Sequence, residues 1–385
     1  MSKSKLTLLI TGARAPVALD LARQFSRAGH TVHVADSLSS HLCRGSRAVA
    51  GEHHLPPPNE GLGPFGAALG SIVEENGIDL VLPTCEEIFH VARVAGRLPE
   101  TCRLFAPDPA TLRRLHSKLE FIRWAQDLGL PVPATRELTE KEQMRAAVGR
   151  PVVLKPAFSR FGCEVIILPT RESEVRDVEI GPERTWVEQE ALVGDQYCTY
   201  SVAHEGRLTA TSSYRGIYTS GGGPAIHFEN ASHPAIDEWV ERFVAAIGFT
   251  GQIAFDFIVD KEGVARPLEC NPRSTSGVHL FGDGERLVEA IVAPSPALQR
   301  PTPGFKTMLG AVMLMEGFPR ALFGGRLGRW WRDFRDARDV IWRREDPKAL
   351  FRQVGLMIAL ALIALRNRVG LSAASTLDIE WNGEE

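Results

Sequence analysis

Two carboxylates and an amide stand close together near the middle of the chain. The apolar segment Gln252-Ile253-Ala254-Phe255-Asp256-Phe257-Ile258-Val259 carries one acid, and after Glu262-Gly263 a second run leads to Glu269-Cys270-Asn271-Pro272-Arg273. If Glu262-Gly263 is a two-residue hairpin loop, position 256 lies opposite 269; a four-residue loop moves the partner to 267. Either register puts Asp256, Glu269 and Asn271 on one face. Two carboxylates so close repel each other and interrupt apolar strands, a cost that a shared divalent cation removes. Hard oxygen ligands of this kind suit magnesium, with manganese as the alternative and bound phosphates completing the octahedron. The competing reading is a solvent-facing polar stripe on an antiparallel sheet.

A cation stands upstream. Pro151-Val152-Val153-Leu154-Lys155-Pro156 reads as a buried strand ending in lysine, followed by the small residues Ala157, Ser159 and Gly162. A lysine there needs an anion, and a pliant loop after it can fold backbone N–H groups over phosphate. Alone this is weak, since many strands end in an exposed lysine. Farther along, Trp186-Val187-Glu188-Gln189-Glu190 joins a strand to the turn containing Gly194, an edge that offers polar groups to an adenine.

These residues need elements to hold them. Leu6–Ile10 is an apolar run ended by Thr11-Gly12, and Ala15–Ala28 then shows helical spacing up to Gly29. Further strands are expected at Thr31–Ala35 and Ile78–Leu82, so strands alternate with helices as in a parallel, helix-covered sheet. After Pro107 the texture turns antiparallel, with hairpins expected at Tyr197–Tyr214 and Gln252–Asn271. The dinucleotide fingerprint fails at two of three glycines, because Arg14 and Val17 follow Gly12, although Asp36 would suit a ribose.

The 385 residues and formal charge of −3 imply two or three domains and no global bias toward nucleic acid. Six cysteines without a C-x-x-C pair indicate neither a disulfide framework nor a zinc site, and no signal-peptide core follows the first residues. A reducing cytoplasm is the expected setting.

As an ordered set, Lys118, Lys155, the segment around Gln189 and the Asp256…Glu269-x-Asn271 pattern resemble the ATP-grasp superfamily, in particular its carbamoyl-phosphate-synthetase-like carboxylate-amine ligases. The resemblance covers roughly 107–292. It implies an α/β and α+β fold: a Rossmann-like domain over 1–106, an ATP-grasp domain over 107–300, and a mainly helical extension over 301–385. The ATP-grasp domain would divide into subdomains at about 138–189 and 190–292.

The resemblance further implies that Lys118 and Lys155 contact ATP phosphates, with Ser159 and Gly162 in a phosphate-covering loop. Glu188, Gln189, Glu190 and Leu192 would meet adenine, and Gln196 takes the position usual for a ribose carboxylate. Asp256, Glu269 and Asn271 would hold magnesium, with Arg273 near the transferring phosphoryl group. The arginine that other members carry two residues before the first metal ligand is absent, since Ala254 is there; Arg273 or Arg215 would replace it.

A carboxylate resists attack by an amine because oxide is a poor leaving group, and phosphorylation turns that oxygen into phosphate. The expected activity is therefore ATP-dependent ligation of a small-molecule carboxylate to a nucleophile, an amine by preference and a thiol or hydroxyl otherwise. A non-catalytic nucleotide-binding regulator and a nicotinamide-dependent dehydrogenase are the alternatives. For the acceptor pocket, the glycine run containing Gly222 permits close approach or makes a pliant hairpin loop, and His227 and Glu229 follow it. His227 reads either as a base or as a structural histidine. Glu86 and Glu87, after an N-terminal strand, bind a substrate ammonium or cap a helix.

Between 320 and 368 stand twelve basic against five acidic residues, a net +7, interleaved with Trp330, Trp331 and Trp342 and followed by the apolar run Val354–Leu365. That run is short of the roughly 20 residues that span a bilayer. Packing on the core or in a homodimer seam is the preferred expectation, and attachment to an anionic membrane surface the other.

Overall fold

The computed structural model describes residues 5–383 except 160–163, 183, 221–223, 283–285 and 294–296. Gly162 and Gly222 therefore lie outside the described residues. Three sheets organise the chain.

The first comprises β1 (Thr7–Thr11), β2 (Thr31–Asp36), β3 (Gly51–His54), β4 (Leu80–Leu82) and β5 (Arg103–Leu104), all parallel, in the order β3-β2-β1-β4-β5. Its connections include α1 (Pro16–Arg27), α2 (Leu62–Glu75) and α3 (Ile88–Arg93). Pro16 suits the first turn of α1, where its missing N–H would be unpaired anyway. Gly12, at φ +75°, makes the turn before α1; a Cβ there would stand 2.7 Å from Thr84 Oγ1 and 2.9 Å from Glu87 Oε1. Only glycine allows the two strand ends to come so close.

After α4 (Pro109–His116) and α5 (Lys118–Asp127), a small antiparallel sheet forms from β6 (Thr135–Leu138), β7 (Val152–Pro156), β8 (Ile166–Ile167) and β9 (Trp186–Glu190), in the order β6-β9-β7-β8. The helix α6 (Lys141–Arg145) lies between β6 and β7. Leu138, Met144, Val152, Leu154 and Trp186 make its core.

The largest sheet runs β14-β13-β10-β11-β12-β15-β16, from β10 (Asp195–His204), β11 (Arg207–Thr219), β12 (Ala225–Asn230), β13 (Gly251–Val259), β14 (Ala265–Asn271), β15 (Lys306–Met308) and β16 (Arg338–Asp339). Strands alternate their faces. Ile253, Phe255 and Phe257 of β13 join a core with Phe121 of α5 and with Trp239 and Phe243 of α7 (Pro234–Ala246). The Phe255 ring lies 5.3 Å from Trp239 and 5.8 Å from Phe121. Truncating such a ring to Ala costs about 3–5 kcal/mol. The residues between, Ala254 and Asp256, face the other way.

The remaining helices are α8 (Leu287–Val292), α9 (Gly310–Val312), α10 (Phe318–Phe323), α11 (Leu327–Asp336), α12 (Lys348–Asn367) and α13 (Leu371–Ala374). Trp330 packs with Ile226 and Met308, as expected of an extension whose aromatic side packs on the core. Packing on the core accounts for one side of α12 only. Ala349, Leu356 and Leu360 enter the core around α1, but Phe351, Val354, Ile358, Leu362 and Leu365 face outward. At 20 residues α12 is also longer than the apolar run suggests, and long and apolar enough to cross a membrane by length and composition.

Candidate functional site

In the hairpin β13–β14, Asp256 pairs directly with Glu269 and Ala254 with Asn271. Near the turn the register is different, with Val259 opposite Ala265 and Phe257 opposite Pro267. The loop is thus neither of the two lengths weighed from the sequence. A bulge at Leu268 restores the Asp256–Glu269 pairing, and the bulged Leu268 carbonyl accepts a 2.9 Å hydrogen bond from Lys155 Nζ. A bulge frees a backbone group from the ladder, and here that group holds the lysine.

Lys155 Nζ also donates to Gln189 Oε1 at 2.9 Å, so the small sheet reaches the large one through this side chain. Burial pushes its pKa down to about 8. Lys118, at the start of α5, donates from Nζ to the Ser159 carbonyl at 2.7 Å and stands 3.6 Å from Glu269 Oε2. Burial opposes ionisation of Glu269, but Lys118 and Lys155 outweigh it and its pKa falls below the usual carboxylate range. Burial, then the neighbouring Glu269, pushes the Asp256 carboxyl the other way, upward. Asn271 donates from Nδ2 to Glu269 at 3.5 Å.

This donor set fits magnesium. Two half-buried carboxylates repel across the hairpin, an amide lies beside them, and Lys118 stands 3.6 Å from Glu269. Among the described residues no group of three or more His, Cys, Asp or Glu could hold a metal by itself. Magnesium is commonly bound by only one or two carboxylates together with substrate phosphates.

Arg273 follows two residues after Asn271. Its Nη2 donates to Asn271 Oδ1 at 3.2 Å, and Nε to Glu86 Oε1 at 2.8 Å. Burial works against its charge, yet Glu86 outweighs burial and the guanidinium pKa rises. Because Ala254 pairs with Asn271, the guanidinium is hydrogen-bonded to the cross-strand partner of Ala254. Glu86 is thus engaged by Arg273. Glu87 is turned inward: its Oε1 accepts from Thr11 Oγ1 at 2.7 Å and Thr84 N at 3.0 Å, tying β1 to the loop after β4. Neither carboxylate stands in the open position that binding a substrate ammonium requires.

Several other expected residues lie elsewhere. Arg215 is on β11 next to Tyr214, whose register partner Cys198 is opposite Asp256, so alternation puts Arg215 on the far face. There it pairs with Asp195 at 3.0 Å. Glu229, opposite Arg215, shares that far face and approaches Lys306 at 3.5 Å. His227 is buried against α11, with Nε2 3.4 Å from the Asp333 carbonyl oxygen, which favours its structural reading. Glu188 alternates away from Gln189 and holds Arg136 and Arg150 at 2.6 and 2.8 Å. Gln196, exposed, shares the Asp256 face of β10. Glu190 accepts the Ala134 N–H at 3.2 Å, and Leu192 lies in the link to β10. In that link a Cβ on Gly194 would come within 2.0 Å of the Val259 carbonyl, so only glycine permits this crossing.

Sequence reasoning missed four contributors. Cys198 lies opposite Asp256, and Gln252 accepts from Tyr200 at 2.8 Å and Ser274 at 2.7 Å while donating to the Pro83 carbonyl at 3.2 Å. Gln252 thereby fastens β13 to the loop carrying Glu86. Asp378 in the tail binds Arg14 at 2.6 Å, and Trp381 stacks on Phe89 at 4.9 Å and meets Phe158 at 5.8 Å. Arg14 also forks Asp36 at 2.6 Å, so the acid expected to suit a ribose is already engaged. No local signal marks Asp378; it lies 364 residues from Arg14.

Three sheets in this order, with lysines from α5 and β7 converging on a carboxylate hairpin, define the ATP-grasp fold. No family model matches the chain. The chain is similar to the N5-carboxyaminoimidazole synthetase of Staphylococcus aureus solved with ADP, at TM-score 0.63 and 14% identity, covering 82% of this chain and 86% of that one. It is similar too to the L-amino acid ligase of Bacillus licheniformis, at TM-score 0.57 and 18% identity over 72% and 69% of the two chains. The biotin carboxylase domain of the Hydrogenobacter thermophilus 2-oxoglutarate carboxylase, solved with MgADP and bicarbonate, gives 0.58 and 14% over 74% and 69%. These structural neighbours are ATP-grasp carboxylate-amine ligases. In sequence, 205 residues are 25% identical to the mitochondrial arginine-specific carbamoyl phosphate synthase large chain of Neurospora crassa, 47% of this chain but 18% of that protein.

Proposed function

We propose that the chain is an ATP-dependent ligase that phosphorylates a small-molecule carboxylate and couples the acyl phosphate to a nucleophile, an amine by preference, releasing ADP and phosphate. What carries the reading is the convergence of Lys118 and Lys155 beside Glu269, directly opposite Asp256. Cations and paired carboxylates at one spot suit polyphosphate with magnesium better than any other ligand. The fold it shares with ligases solved with ADP or MgADP supports the same conclusion.

In this reading Asp256, Glu269 and Asn271 would hold magnesium, whose charge would neutralise phosphate oxygens. Lys118 and Lys155 bind phosphates, and Gln189 and the 190–196 segment border the base and ribose. Arg273, held by Glu86 and Asn271, would stabilise the oxygen that gains charge as the nucleophile attacks. Residues 1–106, 107–300 and 301–385 are the proposed domains.

The test is a screen of pooled carboxylates and amines for phosphate release, followed by turnover with hydroxylamine. A hydroxamate of the acid, with ADP and phosphate as products, is the expected result. AMP and pyrophosphate would replace acyl phosphorylation with adenylation.

A further inference from the structure

The outer face of α12 has no partner among the described residues. Phe351, Ile358, Leu362 and Leu365 are 73%, 58%, 62% and 76% exposed, and Val354 continues the same stripe. Their spacing puts them on one side of a helix whose other side enters the core. From 353 to 365 there is no charge, a length of about 20 Å along the axis. Lys348 and Arg352 stand at one end of this stretch, Arg366 and Arg368 at the other.

The exposed residues of the 320–368 segment are more basic than the sequence count says. Asp346 is turned inward to Arg23 at 2.9 Å and Ser46 at 2.7 Å, and Asp339 caps the N–H of Ile341 at 2.7 Å. Asp333 accepts from Tyr218 Oη at 2.7 Å. Between 320 and 368, nine arginines and Lys348 remain exposed, against only Asp336 and Glu345 among the acids. Two of those arginines approach Glu316 and Asp333 at 3.3 and 3.7 Å. Trp331 and Trp342 are exposed in the same region.

We propose that α12, with Lys348, Arg352, Arg366 and Arg368 at its two ends, docks the protein on an anionic lipid surface, with the apolar stripe in the acyl boundary and these cations among the headgroups. A long apolar stripe with cations at both ends fits an interfacial helix. A second copy of the chain fits less well. Both ends of α12 are basic, so parallel or antiparallel self-pairing would put cations against cations. Because Ala349, Leu356 and Leu360 stay in the core around α1, the helix lies along the membrane rather than across it. The inference stands apart from the ligase reading.

The experiment is co-sedimentation of the full chain with phosphatidylcholine vesicles, with and without phosphatidylglycerol. Binding to the anionic vesicles is expected, with at least about tenfold weaker binding to neutral ones. It should fall as salt rises from about 0.1 M to about 1 M, where the screening length shrinks from roughly 10 Å to roughly 3 Å. The double variant Ile358→Glu/Leu362→Glu changes two exposed residues, so its melting curve should match the parent while its vesicle affinity falls at least about tenfold. Equal binding to neutral vesicles, binding untouched by the double variant, or no vesicle binding at all overturns the proposal. If, without vesicle binding, a concentration-dependent dimer is lost in the double variant, the face belongs to a second copy.

Discussion

Replacing Asp256 by Asn and Glu269 by Gln should move the stability of the metal-free protein in opposite directions. The two carboxylates are direct cross-strand partners, about 5 Å apart at their Cβ atoms. At an effective dielectric of about 20, unit charges at that distance repel by about 3 kcal/mol. Water in the open cleft reduces this to an expected gain of about 1–2 kcal/mol for Asp256→Asn at a pH where both carboxylates are ionised. Glu269 differs because Lys118 stands 3.6 Å from it, so Glu269→Gln leaves lysines uncompensated and should cost a similar amount or more. The pH dependence follows. Burial and Glu269 hold Asp256 above the usual carboxylate range, so the folded protein keeps a proton that the unfolded chain has lost. Metal-free stability then falls as pH rises through that window, and Asp256→Asn removes the slope. With magnesium and ATP at about 100 times the dissociation constant, the parent gains about 2.7 kcal/mol, and both variants should gain far less and lose turnover. Urea unfolding with EDTA or with magnesium-ATP measures all of this. If both variants shift the metal-free midpoint the same way and keep the parental gain, the site has been misread.

Lys155→Ala should raise the ATP dissociation constant and lower kcat, since in the proposed reading its ammonium would face phosphates in ground and transition states; parental affinity in a binding titration would refute that role. In the parent, ATP affinity should weaken as pH rises through about 8, where burial has moved the Lys155 pKa, and Lys155→Ala should flatten that profile. Glu86→Gln should lower kcat about tenfold with little change in the KM for ATP, because it loosens Arg273 without touching nucleotide; a purely KM effect would refute the positioning role. Asp378→Ala should expose the 371–383 tail to limited proteolysis and cost about 1–3 kcal/mol by leaving part of Arg14 unpaired; unchanged cleavage would show that other contacts hold the tail.

What the sequence by itself determined is what period and spacing control. The two-residue alternation of β13 and β14 put Asp256, Glu269 and Asn271 on one face before any partner was known, and the parallel order of the N-terminal strands followed from their alternation with helices. The bulge at Leu268 could have broken that register; it preserved it because the true loop is offset by the extra residue. Which face of an interior strand meets the site is a different matter, because it depends on neighbours far away in the chain. Tertiary pairing alone decided that Gln189 and not Glu188 meets Lys155, that Arg215 and Glu229 turn away, and that Cys198 stands opposite Asp256. The same holds for Arg273, which finds Glu86 across 187 residues, and for Arg14 with Asp378. Composition showed that the C-terminal region was basic and apolar. Only the fold could turn its acids inward and leave one side of α12 facing out, since burial is settled by which surfaces the rest of the chain can cover.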